Sequence, residues 1–405
     1  DEYDIEILNR IDTLSAPAEI PAVQLPDMQM ARVGRMKTTG VTYINDFFLS
    51  RQSHSLAALW RKAQSHPDKR LKNFLFFFVE QAVWGLSILN RYQPIMHGRL
   101  GGSQVNRALS GVFYVASIMS EVSPWYNLQG KLDRLHKTFS GYRLSEGDSL
   151  LQTHSLSSIK QIPDNSVDYI FTDPPFGENI YYSDLNILIE SWLGVRTAPE
   201  REAIIDKVKG KGFQTYQIMM QECFQTYYMA LKPGKWITVE FHNSKNCVWN
   251  AILQSMQDAG FTIADVRMLN KIQHSFQQAT SAGAVKQDLV ISAYKPGFEF
   301  EKKFRDEAGS VQGAWNFVRQ HLENLPMPAI KDGVIEPTQE RLPYLMYDRM
   351  VAFHIQRGIN VPLSAPEFYQ GLPQRFLERE GMIFNPIQAA AYDKMRLQAD
   401  RIAQL

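Results

Sequence analysis

The stretch "VDYIFTDPPFGENIYY", residues 167–182, decides how the chain is read. Val167, Tyr169, Ile170 and Phe171 are β-branched or aromatic, so the segment reads as a buried strand. Pro174 and Pro175 cannot donate to a ladder, and the strand must stop at Asp173. Pro174 holds Asp173 extended, both rings fix φ, and neither has an N–H to offer. The corner is therefore a stiff rack of acceptors: one carboxylate and bare carbonyl oxygens.

Outward from this strand the pattern alternates. "GYRLSEGDSL" reads as a short strand ending near Gly147 and Asp148, and "DLNILIESWLG" as a helix stopped by Gly194. "DKVKGKGF" reads as a glycine-lysine loop that puts Lys207, Lys209 and Lys211 within reach of nucleic-acid phosphates. A helix carrying Tyr216, Met220, Cys223, Phe224 and Tyr227 on one stripe ends at Pro233 and Gly234, before the strand "KWITVEF". A second helix, with Trp249, Ile252 and Met256, stops at Gly260, and the strands "FTIADVRML" and "QDLVISAYK" follow. Strands alternating with helices imply an α/β fold, a largely parallel, doubly wound sheet covered on both faces. With no helix between them, the last two strands are expected to pair antiparallel at the edge.

Three segments follow: a linker and helical region over 1–140, the α/β domain over 141–300, and a charged helical accessory region over 301–405. The apolar run from Phe74, "FLFFFVEQAVWGLSIL", is broken by Glu80 and Gln81 and is short for a membrane span, so a buried helix is expected. The first residue is Asp1, and the opening runs into a Pro-spaced linker; the chain reads as cut from something longer.

Composition excludes more than it assigns. The chain of 405 residues is 44% hydrophobic and 12% aromatic, ample for packed cores. Its 43 Lys and Arg balance 42 Asp and Glu, so any nucleic-acid surface must come from local clustering. Two cysteines, Cys223 and Cys247, are too few for a disulfide framework or a cysteine zinc site; with no signal-like start, they point to a reducing cytoplasm. The nine His show no HExxH spacing, so no metal is expected, and there is no P-loop or Ser-His-Asp signature.

A rack of acceptors suits the alkylation of an aromatic exocyclic amine, a poor nucleophile because its lone pair is delocalised into the ring. The Asp173 carboxylate and the Pro174 carbonyl can take its two N–H bonds, drawing the nitrogen toward tetrahedral geometry. Phe176 would stack on the base, which must be flipped out or single-stranded to reach the corner. Tyr181 and Tyr182 are candidates to line the pocket, although adjacent residues rarely share one face.

Asp-Pro-Pro-Phe after a strand resembles motif IV of the amino-methyltransferases, class I enzymes with a Rossmann-like sheet that move a methyl from S-adenosylmethionine to adenine N6 or cytosine N4. "IPDNSVDYIFTDPPFGENIYYSDLNILIESWLG", "LKPGKWITVEFHNSKNCVWNAI" and "GAVKQDLVISAYKP" together look like one bacterial DNA methylase group, often carrying a zinc ribbon upstream and found in modification or phage-defence systems. The resemblance implies that Asp173, Pro174, Pro175 and Phe176 are catalytic. It implies that Gly147, Asp148, Ser149 and Thr172 meet S-adenosylmethionine, and that Phe241, His242 and Asn243 line the target-base side. Asp at the first motif position favours adenine N6; cytosine N4, an RNA amine, or a non-catalytic nucleic-acid-binding subunit are the alternatives. The family's glycine-rich cofactor loop should precede Asp148 and is not found, since "HGRLGGSQ" follows no strand pattern. A segment upstream of Asp1, or a partner subunit, is expected to supply it.

Overall fold

The computed structural model describes residues 2–402, apart from 33, 97–104, 107, 110, 142–148, 160, 179, 244, 271–286 and 332. Gly147 and Asp148, the expected acidic turn of the cofactor site, lie outside the described residues. The chain divides into two compact units that interleave along the sequence, whereas the sequence reading drew consecutive segments. The first comprises 1–153 and 178–212, and the second 154–177 and 213–405.

The first unit is helical. Its main helices are α1 (Ser50–Gln64), α2 (Lys69–Val83), α3 (Pro124–Gly141) and α4 (Tyr182–Leu193). Asp68 caps α2 by accepting from the Leu71 N–H at 2.8 Å, which satisfies one of the donors a helix start leaves open. One face of α2, with Val79, Ala82 and Val83, is buried, but Leu71, Phe74 and Phe77 on the other are exposed. The expected buried helix is thus amphipathic, and it ends at Val83. Trp60 and Trp192 pack with ring centroids 5.2 Å apart and tie α4 to α1 in one core. Gly194 ends α4 at φ +67, a left-handed conformation that glycine adopts without a Cβ penalty.

The second unit holds a four-stranded sheet. Its strands are β1 (Val167–Thr172), β2 (Leu231–Phe241), β3 (Thr262–Asn270) and β4 (Gln287–Tyr294), in the order β1-β2-β4-β3. β1 and β2 pair in parallel, and β4 is antiparallel to both of its neighbours. The three strands β1, β2 and β3 therefore run one way, with the reversed β4 inserted. The mixed α/β architecture is as expected, but one pairing of three is parallel, fewer than the alternation suggested. The last two strands do pair antiparallel, and it is β3 rather than β4 that takes the edge.

Helices α5 (Phe213–Ala230) and α6 (Asn246–Asp258) supply the expected apolar stripes: Tyr216, Met220 and Phe224 are buried on α5, and Val248, Ile252 and Met256 on α6. Among the described residues β1 is the other edge strand, and its cover is one-sided. Ile170 is buried, while Tyr169 and Phe171 are 55% and 60% exposed.

Beyond the sheet come α7 (Phe298–Asp306), α8 (Val311–Asn324), α9 (Pro343–Gln356) and α10 (Pro386–Ile402), with two short hairpins among the last three. Ala264 and Tyr294 of the sheet share one core with Phe304, Trp315, Phe317 and Phe353 of these helices. Residues after 300 thus pack directly on strands before 300. No helix among the described residues is long and apolar enough to cross a membrane.

Candidate active site

β1 ends at Thr172, and the proline corner follows immediately, so the motif sits at the carboxyl end of a strand with a parallel neighbour. In open α/β sheets that end is where ligands bind. Asp173 is exposed, Pro174 is buried, and Pro175 and Phe176 are half-buried. Gly177 then turns the chain at φ +82, a region closed to most side chains.

Two side chains hold the corner in place. The Tyr216 hydroxyl of α5 donates to the Pro175 carbonyl at 2.8 Å, and the Asn243 amide donates to the Phe176 carbonyl at 2.7 Å. Burial pushes the Tyr216 pKa up, so the phenol remains a neutral donor. Among the described residues no hydrogen bond reaches the Pro174 carbonyl. Two later carbonyls of the rack are thus spent on fixing the turn.

Asn243 is itself fixed. Its Oδ1 accepts from the Lys245 N–H at 2.7 Å and its carbonyl from the Trp249 indole at 2.8 Å. Phe241 is buried and meets the Phe176 ring edge-on, centroids 5.2 Å apart, with Trp249 packed behind it at 4.9 Å. His242 lies 6.0 Å from the Phe176 ring, and its Nδ1 is 2.7 Å from Oδ1 of the fully buried Asp288. Register explains that pair: Phe241 faces Leu289 across β2 and β4, so His242 and Asp288 are the next cross-strand positions. Thr172 Oγ1 is 2.9 Å from the Tyr227 hydroxyl of α5.

The sequence-derived residues of this unit therefore converge on one corner, with altered roles. Phe241 and Asn243 build the motif's support rather than an open lining, and Thr172 is engaged with Tyr227. Tyr216, Tyr227, Trp249 and Asp288 were not singled out for the site. The first three sit within helical apolar stripes that look like core in sequence, and Asp288 is remote in the chain.

In the first unit, Tyr181 packs against the apolar core and Tyr182 is 41% exposed, so the pair splits as adjacent residues should. Ser149 is exposed. The lysine loop is a correction. Lys209 Nζ donates to Asp184 at 2.5 Å, to Asp206 at 2.8 Å and to the Ser183 hydroxyl at 3.2 Å. Lys211 is 6% exposed and donates to the carbonyls of Pro199, at 2.7 Å, and Glu200, at 3.1 Å, and to that of Glu202. Burial lowers its pKa. Both ammonium groups are consumed inside the fold, and only Lys207 is exposed to meet a phosphate. Alternation of lysine and glycine looks the same in sequence whether the side chains point out or in.

Among the described residues no group of three or more His, Cys, Asp or Glu could hold a metal. Both cysteines are free, and burial pushes the Cys223 thiol up to about 11.

No family model and no curated protein matches the chain. Solved structures do. A candidate DNA modification methylase of Thermus thermophilus, in selenomethionine form, matches at 13% identity over 49% of this chain and 70% of its own, with a TM-score of 0.22. The same protein complexed with S-adenosyl-L-methionine matches at 12% over 40% and 59%, TM-score 0.21. The (4+2)-cyclase SpnF matches at 14% over 42% and 62%, TM-score 0.19. At such scores the functional reading rests on the chain's own residues.

Proposed function

We propose that the chain belongs to an S-adenosylmethionine-dependent methyltransferase acting on the exocyclic N6 amine of adenine in DNA. The observation that carries this reading is the fixed Asp-Pro-Pro-Phe corner at the carboxyl end of a strand. Tyr216 and Asn243 lock its last two carbonyls, which fixes beforehand the turn that carries Asp173 at the strand end.

The chain's own residues act on the amine. Asp173 and Pro174 accept its two N–H bonds, which localises the lone pair on nitrogen and aims it away from the acceptors. A corner fixed beforehand by two hydrogen bonds loses little freedom when the base arrives. The Phe176 ring, held edge-on by Phe241, offers a face on which a flipped base can stack. When bound, S-adenosylmethionine supplies the methyl on a sulfonium whose positive charge makes the carbon electrophilic. Of the residues assigned to it, Thr172 at the strand end and the exposed Ser149 are described. A partner subunit would complete that half-site. The choice of adenine and a place in modification or phage defence rest on the sequence resemblance, and a cytoplasmic setting on the sparse cysteines.

Mass spectrometry of nucleosides from a host expressing the full-length protein tests the base. N6-methyladenine is expected. N4-methylcytosine alone would overturn the adenine assignment and leave the amine chemistry standing.

A further inference from the structure

Two exposed surfaces of the first unit have opposite charge and matching size. On α3, Trp125, Leu132 and Phe139 are 77%, 50% and 57% exposed. They stand seven residues apart, close to two helical turns, and so form one open apolar stripe. The Phe139 ring meets Phe74 of α2 with centroids 5.9 Å apart, and Phe74 in turn meets Phe77 at 6.2 Å. Leu71, Phe74 and Phe77 are exposed as well, so the patch spans both helices. Contiguous apolar surface of this kind marks interaction sites. Its surroundings are basic: α2 and α3 carry Lys69, Arg70, Lys72, Lys131, Arg134 and Lys137 against Glu80 and Asp133.

The second surface is the helix Glu2–Asp12 of the same unit, which has no buried residue. It carries Glu2, Asp4, Glu6 and Asp12 against a single cation, Arg10. Ile7 and Ile11, one turn apart, are half-buried and mark its attached side, whereas Ile5 and Leu8 are exposed on another. Its 11 residues make a helix about 16 Å long, and the stripe from Trp125 to Phe139 runs about 21 Å.

We infer that the Glu2–Asp12 helix of one copy docks on the α2–α3 face of a second copy of this chain. Ile5 and Leu8 meet the apolar patch, and the carboxylates lie over the basic rim. Charge decides the occupant. Two copies of the α2–α3 face would set cation against cation, and two copies of the helix acid against acid, so the unlike pair is the complementary one. Each copy offers one of each, and a two-fold dimer therefore makes the contact twice and closes. The proline corner contributes no residue to either surface, so the inference stands whether or not methyl transfer does.

Sedimentation equilibrium of the full-length protein is the test, and the parent should dimerise reversibly. Reversing the face with Lys69→Glu and Arg70→Glu, or the helix with Glu2→Lys and Asp12→Lys, should weaken self-association by about tenfold or more, because like charges then meet across the interface. All four positions are exposed, so circular dichroism should show both variants folded. Mixed together, the two variants should dimerise again, since each surface then meets its complement; damage to the fold would not be repaired by mixing. A parent that stays monomeric, self-association untouched by either reversal, or two variants that stay apart on mixing would each overturn the inference. So would a monomeric parent that binds phosphatidylserine vesicles and loses them on Lys69→Glu and Arg70→Glu, which would give the face to an anionic lipid surface.

Discussion

Replacing Lys209 by Met separates two meanings of the lysine loop. In the structure the ammonium group bridges Asp184 and Asp206, whose side chains are 1% and 0% exposed, and is itself 15% exposed. Lys209→Met keeps the length of the side chain and removes the charge, leaving two carboxylates buried and uncompensated. Breaking a buried pair from one side costs about 3–5 kcal/mol. In a unit of this size each kcal/mol moves the midpoint by roughly 2–4 °C, so thermal unfolding followed by circular dichroism should shift down on the order of 10 °C. Lys207→Met, at an exposed position, should stay within about 0.5 kcal/mol of the parent. The pH dependence has a fixed sign. Burial pushes the Lys209 pKa down, but its bonds to Asp184 and Asp206 outweigh that and hold it above the ordinary value. The contribution is then fully present below the unfolded pKa of about 10.4 and lost as pH rises through the folded one. If Lys209→Met instead melts with the parent, and the slope of log affinity for DNA against log salt falls by about one, the loop is a phosphate contact and the internal bridge is refuted.

Tyr216→Phe should cost about 1–2 kcal/mol in urea unfolding, the penalty for stranding the Pro175 carbonyl, and should slow methyl transfer more than it weakens DNA binding. His321, with its Nδ1 3.1 Å from the Tyr294 hydroxyl, is held neutral: burial, then Arg349 and Arg341, lower its pKa to about 3. Its folded pKa lies below the unfolded value near 6.5, so its contribution is present above that value and lost as pH falls. From pH 6 to pH 4 the parent should lose about 2–3 kcal/mol on this account, and His321→Gln should flatten that part of a denaturant-measured stability profile.

The elements around the motif were legible because their signals are local. The strand 167–172 was fixed by β-branched and aromatic residues and ended by two prolines, and the stops at Gly194 and Gly260 by glycines that the structure holds at φ +67 and +107. The pairing order of the strands was not legible, since inserting β4 between β2 and β3 depends on partners far apart in sequence. Nor was the exposure of β1: Tyr169 and Phe171 have the composition of a buried strand wherever they sit. Site residues followed the same division. Asp173 to Phe176 announce themselves, but Tyr216 hides within an apolar stripe and Asp288 meets His242 only through register. The lysine loop misled because charge alternation carries no sign of direction, and the carboxylates that turn Lys209 inward come from α4 and from the loop itself.

The central claim is that the proline corner captures an aryl amine. Its most direct test is transfer of labelled methyl from S-adenosylmethionine to DNA by the full-length protein, measured beside Asp173→Ala with DNA affinity recorded for both. The account predicts label on an amino nitrogen with the parent and a loss of at least a hundredfold with the variant at unchanged DNA affinity. Equal transfer by the two proteins, or label on a ring carbon, would contradict it.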